Sequence, residues 1–171
     1  MINFVQLFIL LASFFYLSPA FAGQFKITKV YDGDTIKAET AETAIYIVLL
    51  GIDAPEISDR VGEEAQPFGK AAKEELTRLV LNKTVEVKGY GKAGYPDNHI
   101  VGVIYVKDKN INLELVRRGL AEVHKVDLPE GFVVEPYSEV ENEARETKTG
   151  MWILGDKYMS PSQWRKLQMG Q

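Results

Sequence analysis

Two short acidic segments carry the chemistry that this sequence can perform. Tyr31-Asp32-Gly33-Asp34-Thr35 puts two carboxylates at the bend of a hairpin, where Gly33 admits a backbone angle that other residues resist. Asp53-Ala54-Pro55-Glu56 puts two more at the end of a strand, and Pro55 stiffens the exit into the following loop. Carboxylates brought together repel one another unless they are protonated or bridged, and a hard divalent cation with oxygen ligands is the usual resolution. Ca²⁺ is the expected ion, with Mg²⁺ or Mn²⁺ as alternatives. Either segment alone reads as an ordinary polar turn or loop start. The two together, in this order, point to a cation site.

Elements of one small barrel must position these acids. Phe25 to Val30 and Thr35 to Glu39 read as strands around the Asp-Gly-Asp bend, and Ala44 to Leu50 reads as a third, β-branched and apolar. Phe68 to Leu81 places Ala72, Leu76, Leu79 and Val80 on one helical face, and Asn82 ends it. Strands return at Thr84 to Lys88 and Ile100 to Val106. Asn112 is expected to cap a short helix through Arg118 that Gly119 stops, and Tyr137 to Thr149 forms a charged helix ended by Gly150. Trp152, Ile153 and Trp164 read as packing of the tail onto the body. Five short strands with about three helices, mostly late, predict an α+β fold built on a five-stranded OB-type Greek-key barrel. Binding modules and enzymes share that architecture.

The chain has 171 residues, the size of one domain, and a formal net charge of −4. Phe4 to Leu17 is almost wholly apolar, and Ala20-Phe21-Ala22 has the small-x-small pattern of a signal-peptidase site, so residues 1–22 read as a signal peptide and 23–171 as a single domain. The expected location is therefore secreted or periplasmic. With no cysteine, disulfides, thiolate zinc sites and a cysteine nucleophile are excluded. Net acidity is awkward for a polyphosphate ligand, because affinity for nucleic acid comes mainly from Lys and Arg. Metal ions offset part of it.

The residues resemble the staphylococcal nuclease (thermonuclease) family over nearly all of the chain after residue 22. The resemblance is carried by Val30-Tyr31-Asp32-Gly33-Asp34-Thr35, Leu49-Leu50-Gly51-Ile52-Asp53-Ala54-Pro55-Glu56 and Pro67-Phe68-Gly69-Lys70-Ala71-Ala72. It continues through Val101-Gly102-Val103-Ile104-Tyr105, Asn112 to Ala121 and Gly150-Met151-Trp152. It implies an OB-type barrel that cleaves phosphodiester bonds of DNA and RNA with Ca²⁺. By the same resemblance Asp34 and Asp53 are side-chain metal ligands, the Ala54 carbonyl is a further ligand, Asp32 is a supporting acid, and Glu56 positions or deprotonates the attacking water. A monomer acting preferably on single strands is expected.

The sequence departs from the family pattern where the family uses arginine. The strand position five residues before Asp53 is Val48, and the Gly-Arg pair that precedes the Val-Gly-Val strand corresponds to Asn98-His99. Loss of one preorganised charge-stabilising donor typically costs about 10²- to 10³-fold in rate. His99, with Lys92 nearby, is the candidate replacement, as donor to a phosphate oxygen or as acid for the leaving group. The family's base-stacking tyrosines have no clear counterpart in Glu122 to Asp127, while Tyr31, Tyr90, Tyr95 and Tyr137 are isolated rings that can stack on bases or pack. Arg117, Arg118 and His124 read as surface or structural residues. Two functions follow: a nuclease of reduced rate, with Glu56 and His99 as catalytic residues, or a catalytically inactive metal-binding barrel that binds nucleic acid, glycan or protein.

Overall fold

The computed structural model describes residues 21–58, 64–93 and 98–169. The expected signal segment up to residue 20 and the ring of Tyr95 lie outside the described residues. Strands β1 (Phe21–Val30), β2 (Thr35–Glu39) and β3 (Ala44–Leu49) form the predicted meander, all antiparallel. A two-residue strand β4 (Ile52–Asp53) follows, and helix α1 (Gly69–Val80) lies beyond the loop. Strand β5 (Thr84–Lys92) pairs with β1, and β6 (His99–Val106) pairs with β5 on one side and, in parallel, with β3 on the other. That parallel pairing closes five strands into a barrel and abolishes their free edges.

Alternation along the strands decides what fills the barrel. Ile27, Ile36, Ile47, Leu49, Val85, Val87 and Ile104 point inward and are buried. Helix α1 covers the barrel with Ala72, Leu76, Leu79 and Val80, the face predicted from its periodicity. It ends as expected at Asn82, which holds a left-handed φ of 61°.

After the short strand β7 (Lys109–Asn110), helix α2 (Ile111–Arg117) is capped by Asn110, whose side chain accepts from the Leu113 amide. Asn112, the expected cap, does other work. Fully buried, it accepts from the Ile104 amide at 3.1 Å and donates to the carbonyls of Leu50 at 3.0 Å and Gly102 at 3.1 Å, tying α2 to β6 and to the turn before β4. Arg117 and Arg118 both pair with Glu114, joined by Lys109. Burial raises the Glu114 carboxyl, but the hydrogen bonds from these cations outweigh it and hold the group at about 2.

Strand β8 (Glu122–Val123) pairs with β4, placing Glu122 opposite Asp53. Helix α3 (Glu135–Glu146) starts two residues earlier than Tyr137 and stops before Thr149. A 3₁₀ segment (Gly150–Lys157) follows; it buries Trp152 as expected but leaves Ile153 65% exposed, so that residue is not part of the tail packing. A fourth helix, α4 (Pro161–Met169), is absent from the sequence reading. Its start is a capping box: the Ser160 hydroxyl accepts from the Gln163 amide, the Gln163 side chain accepts from the Ser160 amide, and Pro161 takes the first helical position.

Candidate nuclease site

The two acidic segments meet because small residues let their backbones touch. Asp32 organises the first bend, its Oδ1 accepting from the amides of Asp34 at 3.0 Å and Thr35 at 2.6 Å. Asp34 then reaches across the chain, and its Oδ2 accepts from the Ala54 amide at 2.9 Å. Gly33 has no positive φ; it matters for closeness instead. A Cβ there would lie 2.5 Å from the Ala54 Cβ and 2.8 Å from that of Ala72, so only glycine lets the bend sit against the second segment and α1.

The second segment is fixed from behind. Gln66 accepts from the Glu56 amide at 3.0 Å, its own amide donates to the Glu56 carbonyl at 3.0 Å, and its side-chain amide donates to the Met159 carbonyl at 2.7 Å. Gly69 completes the support: a Cβ would fall 2.1 Å from the Glu56 carbonyl oxygen. The backbone of Pro55 and Glu56 therefore rests directly on the first turn of α1.

Asp32, Asp34, Asp53 and Glu56 line one cavity of about 340 Å³, together with Thr35, Val48, Ala54, His124 and Arg165. Arg165 reaches it from α4. Its guanidinium makes a two-pronged pair with Asp53, Nη1 to Oδ1 and Nη2 to Oδ2, both at 2.9 Å, and Nη1 also donates to Glu56 Oε1 at 2.5 Å. These bonds to two carboxylates raise the arginine above its ordinary range. Asp53 is 7% exposed, so its charge is held by a partner rather than by water.

Asp34 is in the opposite situation. Burial raises its carboxyl well above the ordinary range, the negative charges of Asp32 and Asp53 add to that, and the Ala54 amide only partly opposes them. A hard cation fits here chemically, since Asp34 is a crowded oxygen donor whose ionised form needs a positive neighbour. Among the described residues no three His, Cys, Asp or Glu side chains gather closely enough to hold an ion by themselves. Water or phosphate oxygens would have to complete the coordination, and Arg165 shares Asp53 with any such ion.

The expected site residues thus divide. Asp32, Asp34, Asp53, Ala54 and Glu56 come together, and Val48 lies in the same wall. His99 is not among the described residues lining the cavity. Its ring stacks on Tyr46 at 4.5 Å with the planes 6° apart, and its Nδ1 is buried with no hydrogen-bond partner. His124, read as structural or surface, does line the cavity from the segment after β8, where its amide donates to the Gly51 carbonyl. Tyr137 is buried and bonded to Asn110, and Tyr90 packs edge-on against Phe132.

Arg165 is the residue that sequence reasoning missed. Ser160-Pro161-Ser162-Gln163 is a legible helix start and would have placed α4. Nothing local in the sequence signals that the fifth residue of this helix pairs with an acid 112 positions earlier.

A family model described as staphylococcal nuclease homologue matches residues 46–154. An uncharacterized endonuclease of Escherichia coli is 34% identical over 142 residues, covering 82% of this chain and 83% of the relative. An uncharacterized endonuclease of Haemophilus influenzae is 32% identical over 143 residues, covering 82% and 72%. A probable endonuclease of Pyrenophora tritici-repentis is 35% identical over 124 residues; that match covers 69% of this chain but only 45% of the fungal protein, so the chain spans less than half of that relative's length. With the barrel, the two acidic segments and these similarities in hand, the chain belongs to the staphylococcal nuclease homologue family.

Proposed function

We propose that the protein is an endonuclease that hydrolyses phosphodiester bonds of DNA or RNA, preferably single-stranded, with Ca²⁺, after export and removal of residues 1–22. The observation that carries this reading is the meeting of four acids from two segments with an arginine from α4 in one cavity. Asp34, Asp53 and the Ala54 carbonyl would hold the ion, which when bound draws charge from the phosphate and lowers the pKa of water. Glu56, held through Gln66 and Gly69, orients the attacking water and takes its proton. Arg165 supplies the planar, permanently charged group that Val48 and His99 do not, swinging from Glu56 to a phosphate oxygen and stabilising charge as the bond breaks. His124, on the same wall, can hydrogen-bond a phosphate oxygen.

One observation favours a second reading, a barrel that binds without cleaving. Arg165 engages both Asp53 and Glu56, the acid that must be available to water. Cleavage of single-stranded DNA and RNA with Ca²⁺ or chelator, beside Glu56→Gln, separates the two. The nuclease reading expects chelator-sensitive cleavage that falls about 10²- to 10⁴-fold in Glu56→Gln. Cleavage equal in the two proteins, or absent from both while Ca²⁺ still binds, would overturn it.

A further inference from the structure

The residues that cross the outside of the barrel beside the cavity form a single row. Register pairs Lys29 of β1 with Lys37 of β2, Lys37 with Tyr46 of β3, and Tyr46 with His99 of β6. Directly paired residues share one face of a sheet, and the neighbours Ile36, Ala38 and Ile47 are buried, so this row faces outward. Tyr31 joins it from the end of β1, its ring 5.7 Å from that of Tyr46, and the Lys29 ammonium lies 4.4 Å over the Tyr31 ring. Tyr46 thus touches both other rings, stacked face to face with His99 and tilted against Tyr31; each of the three residues is only half-buried, with two lysines along one border. Lys37 also pairs with Glu39 at 2.6 Å, leaving Lys29 as the more exposed cation.

The row lies one step from the acid cavity. Two residues further along the same strands, on the same outward face, are Thr35 and Val48, which pair with each other and line the cavity. That step is about 7 Å by the strand rise, a distance comparable to the reach from a phosphate to a base beside it. Half-exposed rings with a lysine border match what single-stranded nucleic acid presents, a π-face on every base and a charge on every phosphate.

We propose that Tyr31, Tyr46 and His99, bordered by Lys29 and Lys37, form a stacking platform for the bases of single-stranded nucleic acid next to the scissile phosphate. His99 then serves substrate positioning, not proton transfer. The platform rests on the nuclease reading for its substrate, but its test reads binding and not cleavage.

The test uses the full chain carrying Glu56→Gln, with Ca²⁺, and fluorescence anisotropy of two oligonucleotides of equal length and charge, one bearing thymine bases and one abasic. The platform expects tighter binding of the base-bearing strand by about tenfold. Tyr46→Ala should remove that preference, Tyr46→Phe should keep it, and Lys29→Ala should weaken both strands alike and reduce the salt dependence. A Tyr46→Ala protein whose melting temperature shows it folded, and which still prefers the base-bearing strand, overturns the platform while leaving the nuclease reading intact. Equal affinity of the parent for both strands overturns the platform as well. Binding of neither strand, with no cleavage by the wild type, overturns both.

Discussion

Replacement of Arg165 by alanine tests whether α4 belongs to the active site. In the folded protein the guanidinium makes two bonds to Asp53 and one to Glu56. Removing it strands Asp53, which is 7% exposed, without a positive partner. Breaking a buried pair costs about 3–5 kcal/mol. The arginine side chain is itself 40% exposed, so water screens part of the interaction and about 1–2 kcal/mol is the appropriate scale. For a domain of this size that corresponds to a fall in melting temperature of roughly 2–8 °C. Ca²⁺ should recover more stability in Arg165→Ala than in the wild type, because the variant presents Asp53 without a competitor. Catalysis should move the other way and fall about 10²- to 10³-fold for loss of one charge-stabilising donor. Arg165→Lys should recover much of the stability but little of the rate, since an ammonium cannot span two oxygens. Differential scanning fluorimetry with and without Ca²⁺, together with cleavage rates, reads all three effects. If Arg165→Ala cleaves faster than the wild type, the arginine is a plug on Asp53 and Glu56, and its assignment to the phosphate is wrong.

Asp34→Asn should raise the metal-free melting temperature near neutral pH and abolish most of the rise produced by millimolar Ca²⁺. Because the folded carboxyl is raised by burial and by Asp32, the unfolded chain ionises first, so the wild type loses stability as pH climbs from about 4 through the folded value. Melting curves of the two proteins across pH 4–8 should diverge upward in pH; parallel curves would refute this account. Gly69→Ala should push the Glu56 carbonyl, which a Cβ would approach to 2.1 Å. A 1 Å displacement there lowers the cleavage rate by about 10²-fold, while circular dichroism should show the helices retained. Asn112→Ala removes three buried hydrogen bonds at once. It should cost about 3 kcal/mol, read as a lower midpoint in urea with an unchanged slope.

What the sequence made legible was local. The strands alternate with period two, α1 has a single apolar stripe, and each acidic segment carries a glycine or proline between its acids. The assignments that changed concern what residues touch rather than what element they occupy. Gly33 reads as a turn glycine, yet its missing Cβ matters because Ala54 and Ala72 lie within 3 Å of where it would be. Asn112 reads as the cap of α2, but its amide group is used in the core, and Asn110, two residues earlier, does the capping. Ile153 carries an apolar side chain in an aromatic stretch, and the 3₁₀ turn nevertheless leaves it exposed. Each outcome depends on a contact between segments far apart in sequence, which propensity and periodicity do not encode.

The position of Arg165 has a consequence for how this barrel is built. A guanidinium on the strand at position 48 would be fixed by the sheet itself, whereas one on α4 is only as well positioned as the docking of the last helix. That docking is elaborate. Arg145 lies 3.5 Å over the Trp152 ring, Trp152 packs on Tyr158 at 4.5 Å, Tyr158 donates to Glu122 on β8, and Gln66 binds the Met159 carbonyl just before the α4 cap. Glu122 in turn pairs with Asp53 across β4 and β8, and Gln66 holds the Glu56 amide. Two of the residues that hold the segment leading into α4, Glu122 and Gln66, thus also contact the strand and loop that carry the acids Arg165 binds. With Arg165 on α4, the acid site is tied to the C-terminal segment, through Gln66 to the Glu56 backbone and through Tyr158 and Glu122 to the strand that carries Asp53.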